Sequence, residues 1–214
     1  MRGRQAIGVA VLSLCLGAAA TGATPSLSLT VTVPLPELSA WTFELGVGLA
    51  HGSDQYTVNA EAGVCLGLAV LGGSLEVFRP LSPFLCAEGA VSIFGPVDAI
   101  ARLELTHVMG VSIFAAGVGI RGTGTVAERT EWQADAAALA YVYSGQMRLL
   151  DAATGELEED VTRLTTISLK AVSRIGVAYQ FSDMLSLRQN VVLSIDEAGM
   201  LGSTAQTRLR LGGV

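Results

Sequence analysis

The sequence predicts an all-β chain closed into an up-and-down antiparallel transmembrane β-barrel of about ten strands, within a range of roughly 8 to 12. One observation is strict alternation from Tyr56 to Leu71. Tyr56, Val58, Ala60, Ala62, Val64, Leu66, Leu68 and Val70 share one face, and Thr57, Asn59, Glu61, Gly63, Cys65, Gly67 and Ala69 the other. A run with period two is a β-strand with one apolar face, because a helix would repeat every 3.6 residues. A second observation is composition. Charged residues make up 15% of the chain, against roughly 25% in an ordinary soluble domain, and the mean hydropathy is +0.52. Such a chain has too little charge to cover a water-facing surface. The third is the absence, beyond the N-terminus, of an uncharged apolar run of the roughly 18 or more residues that a spanning helix needs. The longest candidate, Leu105 to Ile120, carries His107 and several glycines. A closed barrel is then the remaining way to satisfy every backbone polar group inside a bilayer.

Residues 1–23 read as a secretory signal peptide. Arg2 and Arg4 precede the apolar run Ala6 to Leu16, and small residues follow, which places cleavage after Ala20 or Ala23. The run is too short to anchor in a membrane. Cys15 does not fit lipoprotein processing, since Leu14 stands where a small residue is wanted and the cysteine lies within the apolar core. Residues 24–214 then form a single barrel domain, long enough for a sizeable fold.

Taken in order, the first strand covers Leu27 to Val33 and is stopped by Pro34 and Pro36. Trp41, Phe43, Leu45, Val47 and Leu49 form the apolar face of the second, opposite Thr42, Glu44, Gly46, Gly48 and Ala50. A turn at His51 to Asp54 leads to the Tyr56 strand, which Gly72 and Gly73 break. Pro80 and Pro83 predict an irregular link over 72–83, after which Phe84, Cys86, Glu88, Ala90 and Ser92 share the polar side. Past Gly95-Pro96, a strand with Asp98, Ile100, Arg102, Glu104 and Thr106 on one face turns near Met109 and Gly110. The next strand ends at Gly122 to Gly124.

Glu131 to Leu150 is ambiguous, since EWQADAAALAYVY suits a helix as well and both its faces are apolar. It reads as a strand because it enters a hairpin signal at Asp151 to Gly155, and because Thr165 to Phe181 keeps one parity so long that it needs an equally long partner. Turns at Ser182 to Met184 and Asp196 to Gly199 separate the last two strands, Leu185 to Ile195 and Leu201 to Leu211. The polar face of the last carries Arg208 and Arg210. If the first strand starts from the periplasm, the short turns lie on that side and the longer links outside, as in outer-membrane barrels.

Alternation does not say whether the apolar face looks out at lipid or in at a core. The polar face, with Gly46, Gly48, Gly63, Gly67, Ala69, Gly117 and Gly119 among scattered charges, suits a narrow, filled interior better than a water-facing exterior. Glu44, Glu61, Glu88, Asp98, Arg102, Glu104, Arg174 and Arg188 are therefore the candidate lumen charges. Glu88, Arg102 and Glu104 would form a buried ion-pair network.

On this pattern the mature chain resembles the small bacterial outer-membrane β-barrel proteins. The turn Phe181-Ser182-Asp183-Met184-Leu185-Ser186-Leu187 is similar to periplasmic turns in that group. The resemblance implies outer-membrane location, contact with outer-membrane lipid and insertion by the outer-membrane assembly machinery. It carries no catalytic motif. The chain departs from the group in ending Leu211-Gly212-Gly213-Val214 instead of in an aromatic residue, and in having only 6% aromatic residues, which makes for thin interfacial girdles.

A net charge of −6 and the absence of any Lys/Arg cluster argue against a nucleic-acid partner. His51 and His107 are the only histidines and fall on opposite rims, so neither a metal site nor a shared acid/base pair is expected. No cofactor is expected either, since Gly117-Val118-Gly119 lies outside any βαβ unit. Cys65 and Cys86 lie directly opposite if their hairpin centres near residue 75 or 76, and out of register if it turns at Gly72-Gly73; export would permit a disulfide. The leading functional expectation is a non-enzymatic barrel with a structural or narrow passive-transport role for small solutes, with Arg102, Glu104, Arg174 and Arg188 gating the conduit. An exported soluble barrel holding a small apolar ligand, and an outer-membrane enzyme using His107, are the alternatives.

Overall fold

The computed structural model describes residues 22–35, 40–71, 74–108, 111–150 and 157–212. The signal-peptide reading and the turn at Asp151 to Gly155 lie outside these residues, as do the predicted turns at Gly72-Gly73 and Met109-Gly110. Ten antiparallel strands follow one another: β1 (Thr24–Pro34), β2 (Ala40–Gly52), β3 (Tyr56–Leu71), β4 (Ser74–Phe94), β5 (Val97–Val108), β6 (Val111–Ala127), β7 (Thr130–Leu150), β8 (Leu157–Ser182), β9 (Leu185–Asp196) and β10 (Leu201–Leu211). Each pairs with its neighbours in sequence, and β1 pairs with β10 from Leu27↔Leu211 to Pro34↔Thr204. The sheet is therefore a closed barrel with no free edge along this seam.

The faces are inverted relative to a soluble protein. In β1, Ser26, Ser28 and Thr30 are buried while Leu27 and Leu29 are exposed. The same holds around the ring, where Val118 on β6 is 68% exposed and Ile175 on β8 61%. Leu45, Leu103, Ile167 and Val191 also point outward. This decides what alternation left open. Among the described residues the apolar face lies outside and the interior holds only a small apolar cluster, so the soluble ligand-binding alternative is set aside.

The band has edges. His107, Ser112, Ser144 and Thr165 form one cross-strand row on the outer face of β5 to β8. Below it on β7 the outward residues run from Val142 to Trp132, about the 9–11 residues that a tilted membrane strand requires. Tyr56, Phe94, Trp132, Tyr179 and Phe181 gather outward near the rim that carries the chain termini. Five of the chain's twelve aromatic residues thus lie along one interface, where a girdle forms.

Two element boundaries differ from the sequence reading. Of the link expected over 72–83, residues 74–83 are strand, since β4 begins at Ser74. β5 reaches only as far as the Phe84↔Thr106 pair, so residues 74–83 bond to β3 alone. Pro80 and Pro83, which have no N–H to donate, lie on this one-sided stretch, where they are tolerated. The irregularity survives only as register shifts at Cys65/Gly67 and Gly67/Leu68. Likewise β6 does not stop at Gly122 to Gly124 but runs on to Ala127. Those glycines lie beneath the Trp132 indole from β7, whose Cη2 would stand 3.3 Å from a Cβ at Gly122. They make room for a ring instead of ending a strand.

At the far rim the β7–β8 hairpin outruns its neighbours. β6 pairs with β7 no further than Gly145, and β9 with β8 no further than Lys170. Long strands, more than long loops, make the two rims unequal.

Candidate functional site

The lumen is the site, and glycines shape it. A Cβ on Gly117 or Gly119 of β6 would collide with the Ala138 or Ala136 carbonyl oxygen of β7, and one on Gly63 of β3 with the Leu45 carbonyl oxygen of β2. At these inward positions adjacent strands fold too tightly for any side chain. Gly46 lies beneath the Glu61 carboxylate in the same way.

The space so freed is filled by charge. Arg102 of β5, 4% exposed, donates through Nε to Glu88 Oε2 of β4 at 2.7 Å and places Nη2 2.8 Å from Asp135 Oδ2 of β7. Arg121 of β6 also pairs with Glu88. Arg174 Nη1 of β8 stands 4.0 Å from the same Asp135 oxygen, and Gln133 Nε2 donates to it at 3.0 Å. Opposite-charged groups from β4 to β8 are thus joined in one network. Across the lumen, Arg208 of β10 pairs with Glu61 of β3, which also accepts from Ser28 Oγ of β1. Ala90, Ile100 and Ala137 form a small apolar cluster inside the same barrel.

Each candidate lumen charge has an inward register position. Glu61, Glu88, Arg102 and Arg174 are in the two clusters. Glu44 faces Cys65 and Thr30, Glu104 faces Cys86, Asp98 faces Arg121, and Arg188 faces Arg208. None of these four is in an ion pair among the described residues. Sequence reasoning missed Asp135 and Arg121. Asp135 was hidden in an alanine-rich strand with no apparent polar face, and Arg121 stood next to glycines read as a strand end.

The cysteines do not meet. Cys65 is opposite Ser82 and Cys86 opposite Glu61, and both thiols are free. This register leaves Cys86 about 13 Å along the strand from the position facing Cys65, beyond the roughly 7 Å between Cα atoms that a disulfide spans. Cys65, 1% exposed, donates Sγ–H to the Ser82 carbonyl at 3.3 Å.

The histidines lie on opposite rims. His51 Nε2 is 3.2 Å from Tyr56 Oη near the terminal rim, and His107 Nδ1 is 3.1 Å from Ser112 Oγ near the far one. Among the described residues no carboxylate bonds to His107, and no group of ligating side chains is arranged to hold a metal.

No protein-family model and no curated protein matches the chain. Among solved structures it is similar to a loop L8 deletion mutant of OmpT, an outer membrane protein of Vibrio cholerae, at 11% identity and a TM-score of 0.36 over 86% of this chain and 62% of that one. It is similar also to the β domain of the Bordetella autotransporter BrkA, at 9% identity and TM-score 0.46 over 88% and 98% of the two chains. A third is Neisserial surface protein A, at 7% identity and TM-score 0.38 over 88% and 94%. The chain spans less than two thirds of the OmpT length.

Proposed function

We propose that the chain is exported by its N-terminal segment into the bacterial outer membrane, where it is a non-enzymatic barrel of narrow bore, either structural or passing only small solutes. The observation that carries this reading is the pairing of an apolar exterior with a lumen crossed by the Glu88, Arg102, Arg121, Asp135 and Arg174 network. An exterior of that kind is stable only in lipid. A lumen so filled leaves no wide aqueous pore, because ten strands enclose little more than their own side chains.

Fractionation of the full-length chain tests location, together with electrophoresis with and without boiling. Recovery with the outer membrane and a heat-dependent mobility shift is expected. Release as a soluble protein without a shift would overturn the reading. In planar bilayers the wild type should conduct weakly, and shortening Arg102 and Asp135 together should raise conductance; a large wild-type conductance would exclude a plugged lumen.

A further inference from the structure

We propose that the lumen mouth at the terminal rim binds a small oxyanion, a phosphate or carboxylate group, between Arg188 of β9 and Arg210 of β10. The proposal rests on the barrel reading, which opens this mouth to the periplasm. A cavity of about 180 Å³ lies here, and its lining includes Glu131, Gln180, Ser186, Arg188, Arg208 and Arg210.

Arg188 and Arg208 are direct cross-strand partners, an arrangement of like charges that destabilises a sheet unless something neutralises it. Arg208 is neutralised by Glu61. Arg188 and Arg210 have no carboxylate at ion-pair distance among the described residues. The Nε atoms of Arg208 and Arg210 are buried without a hydrogen-bond partner. Buried donors are normally satisfied, so the mouth holds more N–H groups than the chain's own acceptors use. The same wall carries two carboxylates, Glu128 of the β6–β7 turn and Glu131 of β7, neither at ion-pair distance from an arginine among the described residues.

The ligand class follows from shape. Guanidinium forks match the paired oxygens of phosphate or carboxylate. The cavity is smaller than the roughly 300–1,000 Å³ of sites for drug-sized molecules, which limits the occupant to one such group or the end of a longer molecule.

The probe is inorganic phosphate, titrated calorimetrically into the folded chain in zwitterionic micelles, with ionic strength held constant by sodium chloride. Saturable one-site binding is expected, weakened about tenfold or more in the Arg188→Gln, Arg210→Gln double variant. The boiled and unboiled gel shift, run on the same samples, reports the barrel separately. If the double variant does not fold, the wild-type titration and Arg210→Gln alone carry the test. A heat-shifted wild type that shows no saturable binding overturns the site, as does undiminished binding in any folded variant. Repetition in phosphatidylglycerol-containing nanodiscs separates the sources. Loss of phosphate binding there assigns the site to a lipid headgroup, and its persistence assigns it to a soluble anion.

Discussion

Arg102 and Asp135 lie two strands apart, on β5 and β7, yet their side chains approach to 2.8 Å. The intervening β6 allows this because its inward positions between them are Gly117 and Gly119, opposite Arg102 and Ile100. With no side chain on that stretch, the guanidinium can lie across the strand and reach the carboxylate. Glycines here set which charges meet.

Removing one member of this pair should cost more than removing both. Asp135→Ala leaves Arg102 with Glu88 alone and Arg174 with no carboxylate, a loss of about 3–5 kcal/mol. Arg102→Met with Asp135→Ala removes one of the two arginines that Asp135 served and leaves Glu88 paired with Arg121, so it should recover part of it. A double-mutant cycle measured by urea unfolding of the micelle-bound barrel checks this. Additive single effects would mean that the two side chains do not interact.

Gly119→Ala should abolish the heat-shifted form, because the new methyl would stand 2.7 Å from Ala137 Cα and 2.8 Å from its Cβ. Gly89→Ala is the matched control, since nothing lies within 4 Å of its Cβ position. The gel mobility of the two variants, unboiled, makes the comparison. Equal behaviour would mean that β6 and β7 are not as close as described.

The register of β3 and β4 can be read chemically. Wild-type Cys65 and Cys86 should give the same mobility with and without reductant. Ser82→Cys, combined with Cys86→Ser, puts two thiols at directly opposite positions and should form a disulfide on oxidation, detected as a shifted non-reduced band. A native disulfide in the wild type would require the hairpin to centre several residues further on.

The strands were legible because each carries period-two alternation, and in a membrane barrel that pattern runs uninterrupted around the ring. Even the ambiguous β7 followed from the length of β8. What failed were positions where local chemistry has two meanings. Pro80 and Pro83 read as a loop because sequence does not reveal that β5 is too short to reach them. Gly122 and Gly124 read as a stop because the covering Trp132 comes from the next strand. Asp135 was missed for a related reason: its role depends on Arg102, a contact set by the bare inward face of β6. The cysteine pairing turned on the centre of one hairpin, which alternation does not fix. The direction of the faces lies beyond alternation altogether, since the same period serves a barrel in water or in lipid.

Val118 lies midway along β6 and is 68% exposed. In a protein surrounded by water, a lysine at so open a position would change stability by no more than about 0.5 kcal/mol. In a bilayer the same side chain must place its ammonium near the midplane, at a cost of roughly 2–4 kcal/mol. Val118→Lys should therefore lower the unfolding free energy in lipid vesicles by several-fold more than Glu128→Lys, which introduces the same residue at the exposed terminal rim. Unfolding curves of both variants in the same vesicles decide it. If the two substitutions are equally mild, the apolar face of the ring does not contact lipid, and the outer-membrane reading falls with it.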